Sequence, residues 1–172
     1  MEFSRATLHD LPELMALYAA ATRHMEQHGI HQWDTLYPAE SFVREDIERE
    51  QLYVGRLGGS IAVAFALEEC RDEDYEEADW RYREEVFVVV HRLCVHPGLQ
   101  GQGVSRIAMD YLEGLVLSRG IRAIRLDAFP QNPAALHLYE SRGYEKAGEI
   151  VYRKGLFYLY EKNLASTAQP EP

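Results

Sequence analysis

A strand, a glycine-rich turn and a helix follow one another between His91 and Leu112, in HRLCVHPGLQGQGVSRIAMDYL, and this order constrains the chain more than any other stretch. The apolar, β-rich run from Val86 to Val95 meets a turn at His96-Pro97-Gly98. Gln100-Gly101-Gln102-Gly103 comes next, followed by apolar residues at Val104, Ile107, Ala108, Tyr111, Leu112 and Leu115, which is helical spacing. Glycines let a backbone approach a ligand closely, and the first N–H groups of a helix have no acceptor within it. The stretch therefore predicts an anion cradle, with phosphate or pyrophosphate as the ligand class.

The flanking sequence predicts a sheet for the cradle to sit in. Glu2 to Thr7 alternates as a first strand. Asp10, with Pro12 and then Glu13, reads as the capping box of a helix whose apolar stripe is Leu11, Leu14, Met15, Leu17, Tyr18 and Ala21. A His-rich connection ends at Tyr37-Pro38, and Ser41 to Glu50 reads as a charged helix packing through Phe42, Val43 and Ile47. Leu52 to Leu57, Gly58-Gly59 and Ser60 to Leu67 form a strong hairpin signal. After the cradle the helix stops at Gly120, and Ile121 to Ala128 is a strand. Asn132-Pro133 opens a helix that Gly143 closes, and Glu145 to Tyr152 and Leu156 to Lys162 pair around Lys154-Gly155. The predicted order is β-α-α-β-β-β-α-β-α-β-β, an α/β fold in a single domain over residues 1–164. Its sheet is mixed and mostly antiparallel, with helices on its faces. The small, polar tail 165–172 is expected to be disordered.

Composition narrows the partners. The formal charge of −10 in 172 residues argues against nucleic acid, whose recognition needs a basic patch, and favours a cationic or neutral partner. Ten acidic residues against three arginines lie between Glu68 and Glu85, a segment carrying −7 of the total. It reads as a long solvated loop with Tyr75, Trp80 and Tyr82 as anchors, and as a second candidate for steering a cationic substrate. No apolar run reaches the ~20 residues that span a bilayer, and the first residues do not read as a signal peptide. Neither a membrane nor a metal is expected. His24 and His28 share a helical face without further ligands, and Cys70 and Cys94 lack metal-ligand spacing, which fits a reduced, cytoplasmic setting.

The identity of the phosphate ligand follows from what stands around the glycines. A P-loop needs Lys and Ser or Thr after its last glycine, and here Val104-Ser105 follows Gly103. A dinucleotide fingerprint needs a third glycine where Arg106 stands. Gln100-x-x-Gly103-x-Ser105, preceded by Leu93-Cys94-Val95-His96-Pro97, resembles motif A of the GNAT N-acetyltransferase superfamily, Q/R-x-x-G-x-G/A, with Ser105 where Gly or Ala is usual. Asn132-Pro133-Ala134-Ala135-Leu136-His137-Leu138-Tyr139, continuing to Gly143-Tyr144, resembles the family's motif B, in the right order and at the right distance.

This resemblance implies acetyl-CoA as co-substrate and transfer of its acetyl group to an amine. It implies that the backbone N–H groups of Gln100, Gly101, Gln102, Gly103, Val104 and Ser105 hold the pyrophosphate. Leu93, Cys94 and Val95 would pair with the pantetheine amides, Asn132 and Ala135 would lie along the cofactor arm, and Tyr139 would face the thioester sulfur as general acid. The base stays open among His91, Glu69, Asp127, His31 and a water chain, with His91 taken as the catalytic candidate. Cys94, in an apolar strand, reads as a packed hydrophobe rather than a nucleophile. His31-Gln32-Trp33-Asp34 is a candidate wall of the acceptor site, with packing of the loop as the equal alternative. The expected acceptor is a small cationic amine. A protein amino group and a non-catalytic acyl-CoA-binding module are the alternatives, and a homodimer is compatible with a domain of this kind.

Overall fold

The computed structural model describes residues 1–69, 78–83 and 85–167. Among the described residues, seven strands and four α-helices follow in the predicted order. They are β1 (Glu2–Arg5), α1 (Leu11–Gln27), α2 (Glu40–Glu48), β2 (Leu52–Leu57), β3 (Ser60–Glu68), β4 (Phe87–Val95), α3 (Val104–Ser118), β5 (Ala123–Ala128), α4 (Pro133–Ser141), β6 (Glu145–Tyr152) and β7 (Gly155–Asn163). The hydrogen-bonded strand order is β1-β2-β3-β4-β5-β7-β6. The β4–β5 pair is parallel, and the β1–β2, β2–β3, β5–β7 and β6–β7 pairs are antiparallel. By backbone contact the chain divides into two compact units, Met1–Leu67 with His91–Met109, and Glu68–Val90 with Asp110–Pro172. Among the described residues no helix is long and apolar enough to cross a membrane.

In the first unit, α1 and α2 bury one face of the hairpin. Leu14, Leu17, Tyr18, Val43 and Ile47 cluster with Leu52, Val54, Ala64, Ala66 and Cys94. A bulge decides what the other face holds. Gly55 pairs with Val63 while Arg56 pairs with Ile61, so Ala62 is an extra residue. Ala62 and Val63 consequently share one cluster, with Val104 and Ala108 from the start of α3. Gly55 is held to glycine by space, because a Cβ there would stand 2.6 Å from the Phe3 ring and 2.7 Å from Val63.

Two sequence expectations change here. The capping box lies one turn earlier than Asp10/Glu13. The Asp10 carboxylate accepts from Thr7 N–H at 2.8 Å and from its hydroxyl at 3.0 Å, and it pairs with Arg56. Glu13 is drawn to the hairpin instead, where it accepts from Ile61 N–H at 2.7 Å and from Arg56 at 3.2 Å. Phe42 is 41% exposed and meets Tyr37 edge-on rather than entering the core.

The second unit is built on the β4–β5–β7–β6 ladder. Its acidic connection is pinned where it can be described. Trp80 is buried, the Arg125 guanidinium lies 4.2 Å from the Trp80 ring centre and 3.7 Å from that of Phe87, and Glu161 accepts Arg81 N–H at 2.6 Å. Trp80 is thus an anchor, as its sequence context suggests, and Tyr82 is half-buried. Tyr75 and Cys70 lie outside the described residues. The tail begins with a short turn, Leu164–Thr167, and residues 168–172 lie outside the description.

A buried network ties α3, the end of α4 and β7 together. The Glu113 carboxylate accepts from Arg142 at 3.0 and 3.2 Å, from Lys162 at 2.9 Å and from the Tyr144 hydroxyl at 3.3 Å.

Truncating Trp80 removes a buried aromatic and one side of the Arg125 sandwich. Trp80→Ala should cost about 3 kcal/mol in urea unfolding and admit protease between residues 78 and 83. An unchanged midpoint with an unchanged digestion pattern would refute the anchoring.

Candidate active site

Residues 95–105 form the cradle through backbone geometry. His96 N–H donates to the Ala62 carbonyl at 2.8 Å, which fixes the turn to β3, and Gly98 N–H donates to His96 Nδ1 at 3.2 Å. A short 3-10 turn, Pro97–Leu99, leads into Gln100. Gly101 (φ 74°) and Gly103 (φ 81°) both adopt left-handed backbone, where a side chain is disfavoured. The first bond of α3 in this region is Ile107 N–H to the Gly103 carbonyl at 3.2 Å, so the N–H groups of the first turn have no acceptor within the helix. A Cβ built on Gly101 or Gly103 would meet nothing within 4 Å, so the space over the turn is open. Val104 is buried against Ala62, Val63 and Ala108, with Leu93, Val95 and Leu99 packed alongside, and this anchors the helix end. Gln100, Gly101, Gln102 and Gly103 are exposed and Ser105 is half-buried. Open glycines, unpartnered amides and the positive end of a 15-residue helix fit a phosphate or pyrophosphate group. The side chains of Gln100 and Gln102 fold back onto the carbonyls of Val95 (3.5 Å) and Gly98 (3.0 Å) and stiffen the loop.

The strand leading into the cradle carries a feature absent from the sequence reading. Arg92 has φ 54°, a left-handed conformation inside β4. Its guanidinium bonds Asp46 through Nε at 2.9 Å and through Nη2, and it donates through Nη1 to the Tyr37 hydroxyl at 3.0 Å. The Arg92 carbonyl accepts from the Tyr18 hydroxyl at 3.4 Å. Both charged side chains are only 10% exposed. A charged residue within VVVHRLCV is the signal that could have pointed here. His91 is half-buried beside it. Cys94 is a free, buried thiol packed in the α1/α2 core, and burial pushes its ionisation far above the ordinary thiol range. That agrees with packing rather than nucleophilic attack.

The second unit carries the other candidates. Asn132 caps α4, its Oδ1 accepting from Ala135 N–H at 3.2 Å, which accounts for both residues locally. Tyr139 is 7% exposed and stands edge-on to Tyr144 at 5.8 Å. Burial, and then the nearby Asp127 charge, push the Tyr139 phenol above the ordinary tyrosine range. It is therefore a neutral, protonated group at physiological pH, as a proton donor must be.

Glu69 is exposed and paired with Arg119 at 3.3 Å. His31 is exposed, whereas Trp33 is buried edge-on against Tyr18 at 5.6 Å. Asp34 Oδ1 accepts from Leu36 N–H at 2.9 Å, closing its turn. Packing thus accounts for Trp33, and turn hydrogen bonds from Leu36 and Tyr37 for Asp34. His28 Nδ1 lies 2.7 Å from the His24 carbonyl at the end of α1. Among the described residues no group of three or more His, Cys, Asp or Glu side chains is arranged to hold a metal ion.

Comparison with known proteins gives a consistent picture. The model of the acetyltransferase (GNAT) family matches residues 11–144. An acetyltransferase of the GNAT family from Streptococcus agalactiae superposes with a TM-score of 0.83 at 23% identity, covering 94% of each chain. A putative acetyltransferase from Staphylococcus aureus gives 0.75 at 26% identity over 95% of this chain and 99% of the other. A Paia N-acetyltransferase from Thermoplasma acidophilum, solved in complex with coenzyme A, gives 0.71 at 13% identity over 94% and 98%.

The burial of Cys94 has a direct readout. In a Cys70→Ser chain at about pH 8, Ellman's reagent should label Cys94 only after denaturation. Rapid labelling of the native chain would overturn the packed, protonated thiol.

Proposed function

The chain belongs to the GNAT acetyltransferase family, and on that premise we propose that it moves the acetyl group of acetyl-CoA to the amino group of a small cationic molecule. The observation that carries the donor half is the open backbone cradle at Gly101 and Gly103 on the amino end of α3. The formal charge of −10 supports a cationic acceptor, because an acidic surface concentrates cations around it.

Each candidate residue then has a defined task. The N–H groups of Gly101 to Ser105 hold the pyrophosphate oxygens, whereas Gln100 N–H, expected from the sequence to join them, donates to the Pro97 carbonyl at 3.3 Å. The edge of β4 at Leu93 to Val95 offers backbone partners to the pantetheine amides. Asn132 and Ala135 border the cofactor arm. The amine nitrogen attacks the thioester carbonyl carbon, the carbonyl oxygen gathers negative charge, and backbone N–H groups near Cys94 and Val95 stabilise it. The C–S bond then breaks and Tyr139 gives its proton to the departing sulfur. The amine proton leaves to a base, for which His91 is the candidate on β4 and Asp127 the candidate beside Tyr139. Because burial and Asp127 both favour the neutral phenol, Tyr139 holds its proton past pH about 10, the ordinary tyrosine value.

Two variants separate the steps. Gly103→Ala places a Cβ in the cradle on left-handed backbone and should weaken CoA binding by about tenfold or more in calorimetry. Tyr139→Phe should lower kcat by about 10²-fold in a thiol-release assay across an amine panel, with CoA binding retained. CoA binding without thiol release for any amine would replace the transfer reading by a binding module. Release only with peptide amino termini would move the acceptor to proteins.

A further inference from the structure

We propose that Arg92 is a positioning residue for acyl transfer, holding the backbone of Leu93 to Val95 in register with the donor carbonyl through a buried cluster with Asp46, Tyr37 and Tyr18. The proposal rests on the acetyl-CoA reading above and adds to it groups that never touch the donor.

Three observations converge on it. First, Arg92 is one of two non-glycine residues with positive φ among the described residues, and the only one inside a strand. A side chain in left-handed backbone persists only where its surroundings hold it there, and such residues gather at working sites. Second, both ends of the residue are held. The guanidinium is fixed to Asp46 of α2 and to the Tyr37 hydroxyl at 3.0 Å, while the carbonyl accepts from Tyr18 of α1 at 3.4 Å. Third, the consequence reaches the next residue. In a trans peptide the N–H lies antiparallel to the carbonyl, so fixing the Arg92 carbonyl toward Tyr18 aims the Leu93 N–H the opposite way. That peptide opens the Leu93–Val95 segment to which the pantetheine contacts are assigned, and it leads directly to the Cys94 and Val95 N–H groups assigned to the thioester oxygen. Tyr37 extends the hold to the connection between α1 and α2. Asp46 is itself 7% exposed, so the pair is shielded from water and its geometry is correspondingly firm.

The cluster makes a prediction that simple loss of stability does not. With acetyl-CoA carrying a ¹³C label at the acetyl carbonyl, isotope-edited infrared spectra of the full chain should show the bound carbonyl band below its position in free acetyl-CoA. Arg92→Lys keeps a positive charge but loses the fork that reaches Asp46 and Tyr37 together. It should return the band at least halfway to the free position and lower kcat by about tenfold, with the Kd for CoA within about twofold of the parent. If the lysine variant does not fold, Tyr37→Phe, which leaves the Asp46 pair in place, decides through the same band. A band unmoved from the parent position in the deciding variant overturns the proposal, as does a Kd that rises in step with the loss of kcat. A parent chain that binds acetyl-CoA without lowering the band overturns it too. A parent that lowers the band yet acetylates no amine leaves the positioning role standing and removes the transfer reading. A parent that binds no CoA removes both.

Discussion

An arginine in the middle of an apolar strand is the constraint around which much of the first unit is arranged. A guanidinium cannot be left unpaired in a dry interior, and the effective cost of doing so is several kcal/mol. Asp46 on α2 supplies the counter-charge, and Tyr37 and Tyr18 bring the connection and α1 into the same cluster. The second unit solves the same problem with opposite signs. There a single carboxylate, Glu113, gathers Arg142, Lys162 and Tyr144. Such clusters contribute modestly to net stability, since desolvation offsets much of the attraction, but they tolerate few alternative arrangements.

Burial acts on two reactive side chains with different outcomes. Cys94 and Tyr139 both lie in apolar surroundings, and in both the ionised form is disfavoured. For a thiol this removes the nucleophile, because only the thiolate attacks. For a phenol it preserves the proton that an acid must deliver. The same desolvation thus removes the thiolate from one group and keeps the proton on the other.

How much of this was legible in the sequence depends on how locally each feature is determined. The cradle was readable because two glycines and a helix start lie within a few residues, and the required φ values follow from that stretch alone. The Asn132-Pro133 start of α4 and the Gly58-Gly59 hairpin were readable for the same reason. The Asp10/Glu13 capping box does not form because Ile61 and Arg56, 48 and 43 residues away, take the Glu13 carboxylate. The Arg92 cluster and the Glu113 network were missed because their members lie tens of residues apart and meet only once the elements have packed. Trp33 offered packing and ligand contact equally in the sequence, and its edge-on contact with Tyr18 shows where its ring goes.

Recognition of an anion by backbone amides has a consequence for a chain of this charge. Amide dipoles act over a few ångströms, whereas the field of ten net negative charges reaches to about the Debye length of the solution. On the proposed reading, an anionic donor approaching Gly101 and Gly103 is repelled at long range and captured at short range. Added salt screens the repulsion far more than it weakens the capture. Donor association should accelerate as ionic strength rises, the reverse of what basic phosphate-binding surfaces do.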